Sequence, residues 1–502
     1  MNLSDRLRGI VGAPRASAER SHLSRMSPAG PPGELARDTL QQTLGGEWRH
    51  QGAIRCFVVD RRTPPDAMCG GVRVAEIAGV LTCAAAHAPL LTSAAPASPP
   101  FLFFDIETTG LSGGAGTYAF LVGCAWFCDD GAFLTRQYVL VNHHDERPML
   151  ESVAGELARA GTLVTFNGKS FDAPVLEMRY MFHRLQWPGA RLPHLDVLHP
   201  ARLFWGTASA RLKADTTNPP REASADHRRL VRLRAKRYGE TSTTLEERSR
   251  GGGGYPDAAA ESTPRSCSLL ALEQQILGAN REGDVPGFEI PARYFQFLRN
   301  GDARPLGAVF EHNRLDLLSL AGLTARLLQL LHDGPGKAQD AHEALALGRV
   351  YQRGGLEDRA VEAFERTMAM SGSLHESQAA PVRVDALRSL ACAARRARRH
   401  HDAAACWRQL LDVPLCPRNT AREALEALAI HHEHRVRDLG AARTFALGSL
   451  NAANRTSASA RARHRLARLE RKLSGAPHKR ADQDAALPMS TWFSGSSPII
   501  SK

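Results

Sequence analysis

The sequence predicts an α/β domain built on a mixed sheet with flanking helices, followed by an all-α domain of helical hairpins. Three observations carry this expectation. Apolar, strand-like runs at residues 101–107, 118–127 and 135–141 follow one another at hairpin separations. A helical stretch at 149–160 and a further buried-strand candidate at 163–167 come next, an α/β order. Beyond residue 340 the apolar residues recur at helical spacing.

With 502 residues, and about 150 residues in a typical domain, more than one core is expected. Residues 1–44, rich in Arg, Ser, Pro and Gly without periodicity, read as a disordered basic arm. Residues 45–98 form a modest N-terminal segment with a β-like run at 53–60, closed by an Ala/Pro linker at 94–100. The α/β domain spans 99–332 and is broken at 206–265 by an insert expected to be disordered. That insert carries Asn218-Pro219-Pro220, a basic cluster at Arg228, Arg229, Arg232, Arg234, Lys236 and Arg237, and glycines 251–254. Helical hairpins occupy 340–455, and 456–502 is a helical end with a disordered tail.

The hairpin region repeats itself. Gly348, Tyr351, Ala360 and Phe364 share their spacing with Ala391, Ala394, Ala403 and Trp407, and again with Ala429, His432, Ala441 and Phe445. Small residues let paired helices approach and an aromatic fills the space between hairpins, as in tetratricopeptide-like arrays. The offsets, 43 and then 38 residues, are irregular, and an unspecialised helical bundle is the alternative.

Sixty-four Lys and Arg against fifty-two Asp and Glu give a net charge of +12, which favours polyanionic partners. A mean hydropathy of −0.29 and a most apolar stretch (80–97) broken by His87 and Pro89 argue against a membrane span. No apolar signal-peptide core stands in the first thirty residues. Nine scattered cysteines suggest a reducing cytoplasm rather than a disulfide framework.

Three small constellations carry chemistry. Asp105 and Glu107 alternate on an apolar strand, so both project from one face, where a divalent metal is their natural partner; a solvated acidic pair is the alternative. Asp172 closes the run Asn167-Gly168-Lys169-Ser170-Phe171 after a second strand, and would either point back to the sheet's end or cap a helix. His312 and Asp316, four apart on a helix, either share a cavity or form a surface pair. As an ordered set, four carboxylates with one His suit two-metal phosphodiester hydrolysis.

These residues resemble a known family. The run from Phe103-Phe104-Asp105-Ile106-Glu107 to Gly113-Gly114 is similar to the first motif of the DEDD exonuclease superfamily, and specifically of its YprB-type ribonuclease-H-like family. The resemblance continues through Phe120-Leu121-Val122-Gly123, the Asn167–Asp172 motif, His194-Leu195-Asp196 with Ala201-Arg202, Cys267-Ser268-Leu269, Asp284-Val285-Pro286-Gly287 and His312-Asn313-Arg314-Leu315-Asp316. Helical repeats behind the nuclease-like domain are also similar to that family's layout. Two departures stand out: well-studied exonucleases of the superfamily place His five residues before the last Asp, or Tyr four before it, and the insert replaces a short connection.

The resemblance implies a ribonuclease-H-like fold and 3′–5′ exonuclease activity on DNA or RNA with Mg²⁺ or Mn²⁺. Asp105, Glu107 and Asp316 would hold one ion, Asp105 would bridge to a second supported by Asp172, and His312 would act as base. A noncatalytic scaffold, binding nucleic acid through the sheet domain and a protein through the repeats, is the alternative. A phosphate-binding loop is excluded at Gly168-Lys169-Ser170, because the required earlier Gly is Leu163. Cys124 and Cys128 lack a second pair for zinc.

Overall fold

In a computed structural model the described residues are 40–51, 54–92, 95–110, 116–206, 267–452 and 457–475. The basic arm to residue 39, nearly all of the insert with its arginine cluster, positions 111–115 of the first acidic motif and the tail beyond 475 lie outside them.

The main sheet has seven strands in the order β1 (Glu47–Gln51), β2 (Ile54–Thr63), β7 (Phe133–Val139), β6 (Ala119–Phe127), β5 (Phe101–Thr108), β8 (Thr162–Thr165) and β9 (His194–Asp196). The remaining strands, β3 (Met68–Cys69) and β4 (Val72–Arg73), form a two-stranded ladder. Pairing is antiparallel from β1 to β5 and parallel from β5 through β8 to β9, so the sheet is mixed, as expected. Both faces are covered. Tyr138 donates to Glu156 on α2 (Glu146–Leu157), whereas its neighbour Gln137 donates to Asn313 on α6 (Arg304–Asp333), and adjacent strand residues point to opposite faces. This two-sided burial is why β5 and β6 read as continuous apolar runs.

The N-terminal segment is not separate. β2 pairs with β7 from Phe57↔Val139 to Thr63↔Phe133, and Cys56, Phe57, Val58 and Val59 are all buried. The helix α1 (Val74–Cys83) packs on α6 and buries Val74, Ile77 and Leu81. Among the described residues no single helix is long and apolar enough to cross a membrane. All nine cysteines are free, and Cys124 is buried.

Three further helices frame the sheet: α3 (Asp172–Phe182), α4 (Leu198–Trp205) and α5 (Ile290–Asn300). Tyr294 of α5 stacks on Phe120 at 4.1 Å and donates to the Leu140 carbonyl at 2.8 Å. The chain forms two compact units, Met1–Ala363 and Phe364–Lys502. The division falls inside α8 (Glu357–Met370) and not near residue 340, so α7 (Ala341–Arg353) goes with the sheet. The cause is visible: Trp205 donates to Glu343 at 2.8 Å and Tyr351 to the Leu331 carbonyl at 2.9 Å.

The second unit runs through α9 (Glu376–Arg396), α10 (His400–Leu411), α11 (Arg418–His431), α12 (Leu439–Asn451) and α13 (Ser457–Ser474). Ala391, Ala394, Ala403 and Trp407 are buried as the repeat predicts. In the next repeat Ala429 is buried, but on α12 the buried small residues are Ala442 and Ala446, while Ala441 and Phe445 are only partly covered. The π-turn His432–Val436 between the helices lengthens the connection and shifts the second helix by one residue.

Glu433, fully buried in that turn, binds Arg465, Arg468 and Lys472 of α13 at 3.1, 2.6 and 2.8 Å. Burial would raise its carboxyl, but hydrogen bonds from Arg468 and Lys472 outweigh this and bring it from 4.5 to about 2. The stabilisation is therefore complete above pH 4.5 and is lost as the pH falls towards 2. With the outer ends of Arg468 and Lys472 screened by solvent, Glu433→Gln should cost about 1–2 kcal/mol at neutral pH and flatten the acid limb of urea unfolding curves. Equal stability of variant and parent at pH 7 would show that these cations do not hold α13.

Candidate active site

β5 carries Asp105-Ile106-Glu107 just before its last residue, and strand alternation sends both acids towards α6. Opposite Asp105 in the ladder stands Gly123, where a Cβ would lie 2.3 Å from Asn313 Oδ1 and 2.7 Å from Leu317 Cδ1. Bare backbone at this point lets the helix sit down on the sheet. Asn313 Nδ2 donates to Asp105 Oδ2 at 2.8 Å, and Gln137 Nε2 donates to Asn313 Oδ1 at 2.9 Å and to the Phe310 carbonyl at 2.7 Å. His312 and Asp316 flank Asn313 on the same helix.

Asp172 arrives from the parallel side, as the first residue of α3. The turn before it is tight: Asn167 has φ 65°, and a Cβ on Gly168 would strike the Thr165 side chain at 2.5 Å. Asp196, at the end of β9, secures the turn by accepting from the backbone amides of Asn167 and Lys169 at 2.7 and 3.1 Å. Asp172 is not a cap. Phe171 holds the cap position without a side-chain bond, and Asp172 Oδ2 is buried with no partner among the described residues.

Burial raises all four carboxyls, and at Asp105 and Glu107 repulsion from other acids of the set adds to it. Asp105 is pushed well up by burial and by Asp316, Glu107 and Asp172, and Glu107 rises to about 8 through burial, Asp316, Asp172 and Asp284. Asp172 also rises to about 8, through burial and Asp196. Burial raises Asp316 as well, opposed by Arg281 and His312. The structure thus joins the four predicted acids into one electrostatic cluster.

Residues outside the predicted set complete it. Arg281 reaches Asp316 Oδ1 at 2.7 Å, Glu273 Oε2 at 2.5 Å and Asp284 Oδ2 at 3.1 Å, and Ser319 donates to the same Glu273 at 2.8 Å. His312 Nδ1 lies 2.7 Å from Asp284 Oδ1, and its Nε2 lies 3.6 Å from Asp316 Oδ2. Burial alone would raise Asp284, but the hydrogen bond and charge of His312, with the Val285 amide and Arg281, hold it below the usual carboxylate range. Neither a solvated acidic pair nor a surface His–Asp pair describes this arrangement.

Among the described residues no three His, Cys, Asp or Glu side chains close around a metal position as they stand. Asp105 is turned to Asn313 and Asp316 to Arg281. The donor set nevertheless fits hard divalent cations: it is all oxygen, crowded with like charge, and includes the buried, unpartnered Asp172 Oδ2. Asp196, Asp284 and Asn313 stand within the motif runs read from sequence but have no role visible there. Arg281 and Glu273 carry no sequence signal, because their partners are brought to them only by the fold.

Residues 102–214 and 255–328 match the ribonuclease H superfamily. The sheet domain is ribonuclease-H-like in fold. Every acid of the cluster, His312 and Asp284 fall inside the matched residues of this ribonuclease-H-like domain, and the unmatched stretch 215–254 lies within the expected insert. The chain is also similar to the uncharacterized protein YprB of Bacillus subtilis (strain 168), with 27% identity over 377 residues, covering 74% of this chain and 75% of that protein.

The seat at Gly123 gives a direct check. Gly123→Ala places a methyl group against Asn313 and Leu317, and should destabilise the ribonuclease-H-like domain by about 1–3 kcal/mol in chemical denaturation. A variant with unchanged stability would mean that α6 does not rest on this residue.

Proposed function

We propose that the ribonuclease-H-like domain is a metal-dependent nuclease, acting on DNA or RNA as a 3′–5′ exonuclease. The observation that carries this reading is the convergence of Asp105, Glu107, Asp172 and Asp316 on one desolvated point, where so much negative charge is costly without cations. Those four residues would hold two Mg²⁺ or Mn²⁺ ions. Such ions, when bound, polarise the scissile phosphate and neutralise the leaving 3′ oxygen.

The chain's own residues do the rest. Asn313 orients Asp105, and Arg281 orients Asp316. Asp284 accepts the Nδ1 proton of His312, which leaves Nε2 free to take a proton from the attacking water. The same carboxylate then stabilises the imidazolium that results, so Asp284 is a positioning residue for the base. The spacing of four between His312 and Asp316 brings Nε2 to the acid cluster and so supports the role of base. A noncatalytic scaffold gives no reason for a buried carboxylate oxygen without a partner among the described residues.

Degradation of end-labelled single- and double-stranded DNA and RNA tests the reading. Activity should require Mg²⁺ or Mn²⁺ and vanish in Asp105→Asn and in Asp316→Asn, and the label released first reports polarity. His312→Ala should unfold near the parent temperature yet turn over roughly a hundredfold more slowly, with a deficit that shrinks as hydroxide rises. Asp284→Asn should reproduce part of that loss. Full activity in both carboxylate variants, or in excess chelator, would sink the proposal.

A further inference from the structure

The positive charge of the chain is concentrated in its second unit. Residues 364–502 hold twenty-three Lys and Arg against twelve Asp and Glu, a net +11 of the total +12. Arginines gather at one end of the helical array. α9 runs out through Arg395 and Arg396 and turns into α10 through Arg398 and Arg399, while α11 turns into α12 through Arg435 and Arg437. The two turns adjoin, since the His401 ring at the start of α10 meets the His431 ring at the end of α11 edge-on at 5.1 Å, and Arg408 lies 3.0 Å from His432 Nε2. His431 is held below its ordinary value by burial and then by His432, His401, Arg408 and His400, so basic groups of both turns lie close together.

Little negative charge answers Arg395, Arg398, Arg435 and Arg437 among the described residues. Arg399 pairs with Asp402 at 3.5 Å, Asp438 caps α12 by accepting from the Ala441 amide, and Glu433 is taken up by α13. Arg395, Arg398, Arg435 and Arg437 are exposed and form no ion pair among the described residues. Two of them share a backbone feature. Arg398 and Arg437 have φ 59° and 62°, the left-handed region in which glycine is the usual residue after a helix. They stand 39 residues apart, the same step that relates Ala403 to Ala442. Both equivalent turns thus accept backbone strain and present a guanidinium to solvent.

We propose that this arginine-bearing edge of the second unit is a docking surface for the phosphodiester backbone of nucleic acid, in place of the protein partner expected of a helical array. Guanidinium groups repeated at a fixed step on rigid hairpin ends suit a polymer of regularly spaced phosphates. The choice of nucleic acid over an acidic polypeptide rests on the nuclease reading.

Glycine substitution tests the surface because it favours the fold while removing the charge. In EDTA, where no hydrolysis interferes, the full chain is titrated against a fluorescent single-stranded oligonucleotide of about twenty nucleotides over a range of KCl. The double variant Arg398→Gly, Arg437→Gly should unfold at or above the parent temperature. It should also bind about tenfold more weakly, with the salt slope reduced by about 1.4, as expected for two lost phosphate contacts. Leu415→Gly at the opposite end, exposed with φ 57°, relieves the same strain without removing charge and should bind like the parent. If the glycine pair fails to fold, Arg395→Gln with Arg435→Gln should show the same weakening. Unchanged affinity and slope would overturn the proposal, as would displacement of the oligonucleotide by polyglutamate at equal charge concentration. Because binding and hydrolysis are measured apart, failure of either reading leaves the other legible.

Discussion

The architecture of the first unit depends on a short chain of buried hydrogen bonds, from Gln137 to Asn313 to Asp105. Both amides are wholly buried, and a buried amide left unpaired is costly, so the bonds fix the rotation of α6 as well as its distance from the sheet. A helix residue turns by about 100° from its neighbour, so a slip of one position would carry His312 and Asp316 away from β5. Gly123 makes the approach possible, and the amides make it unique. A thirty-residue helix with apolar residues on most of its circumference could otherwise settle on the sheet in several ways.

The site concentrates charge of one sign and compensates only part of it. Arg281 is shared among three acids, Asp316, Asp284 and Glu273, so it offsets the cluster on one flank, while Asp105 is met by a neutral amide and Asp172 Oδ2 by no described group. Packing around the sheet supplies the desolvation that makes this imbalance expensive. The same imbalance turns an ordinary apolar core into a place where cations and phosphate chemistry become favourable.

Most of this was legible in the sequence wherever the signal is local. Alternation on one strand placed Asp105 with Glu107, and helical spacing placed His312 with Asp316. Joining these pairs to Asp172 needed the ordered set, and the structure brings them together. Contacts made across long separations in sequence were not legible. Arg281 has no neighbour that marks it, and the N-terminal strands look like a separate segment because pairing of β2 with β7 leaves no periodic trace in either strand alone. The repeat was readable in its small residues, but a π-turn shifts the second helix of the last repeat without altering composition, so Ala441 and Phe445 stand one place away from the buried positions.

The joining of β2 to β7 also bears on how this chain can be divided. From sequence the ribonuclease-H-like domain is expected to begin at residue 99, after the Ala/Pro linker. A polypeptide begun there would lack β1 and β2 and leave the seven-residue β7 as an open margin, with the backbone donors and acceptors of alternate residues unsatisfied beside an apolar face. Such a margin invites pairing with another copy and is a common origin of aggregation. The first hundred residues therefore include a guard strand, and the smallest soluble form of the sheet domain has to carry it.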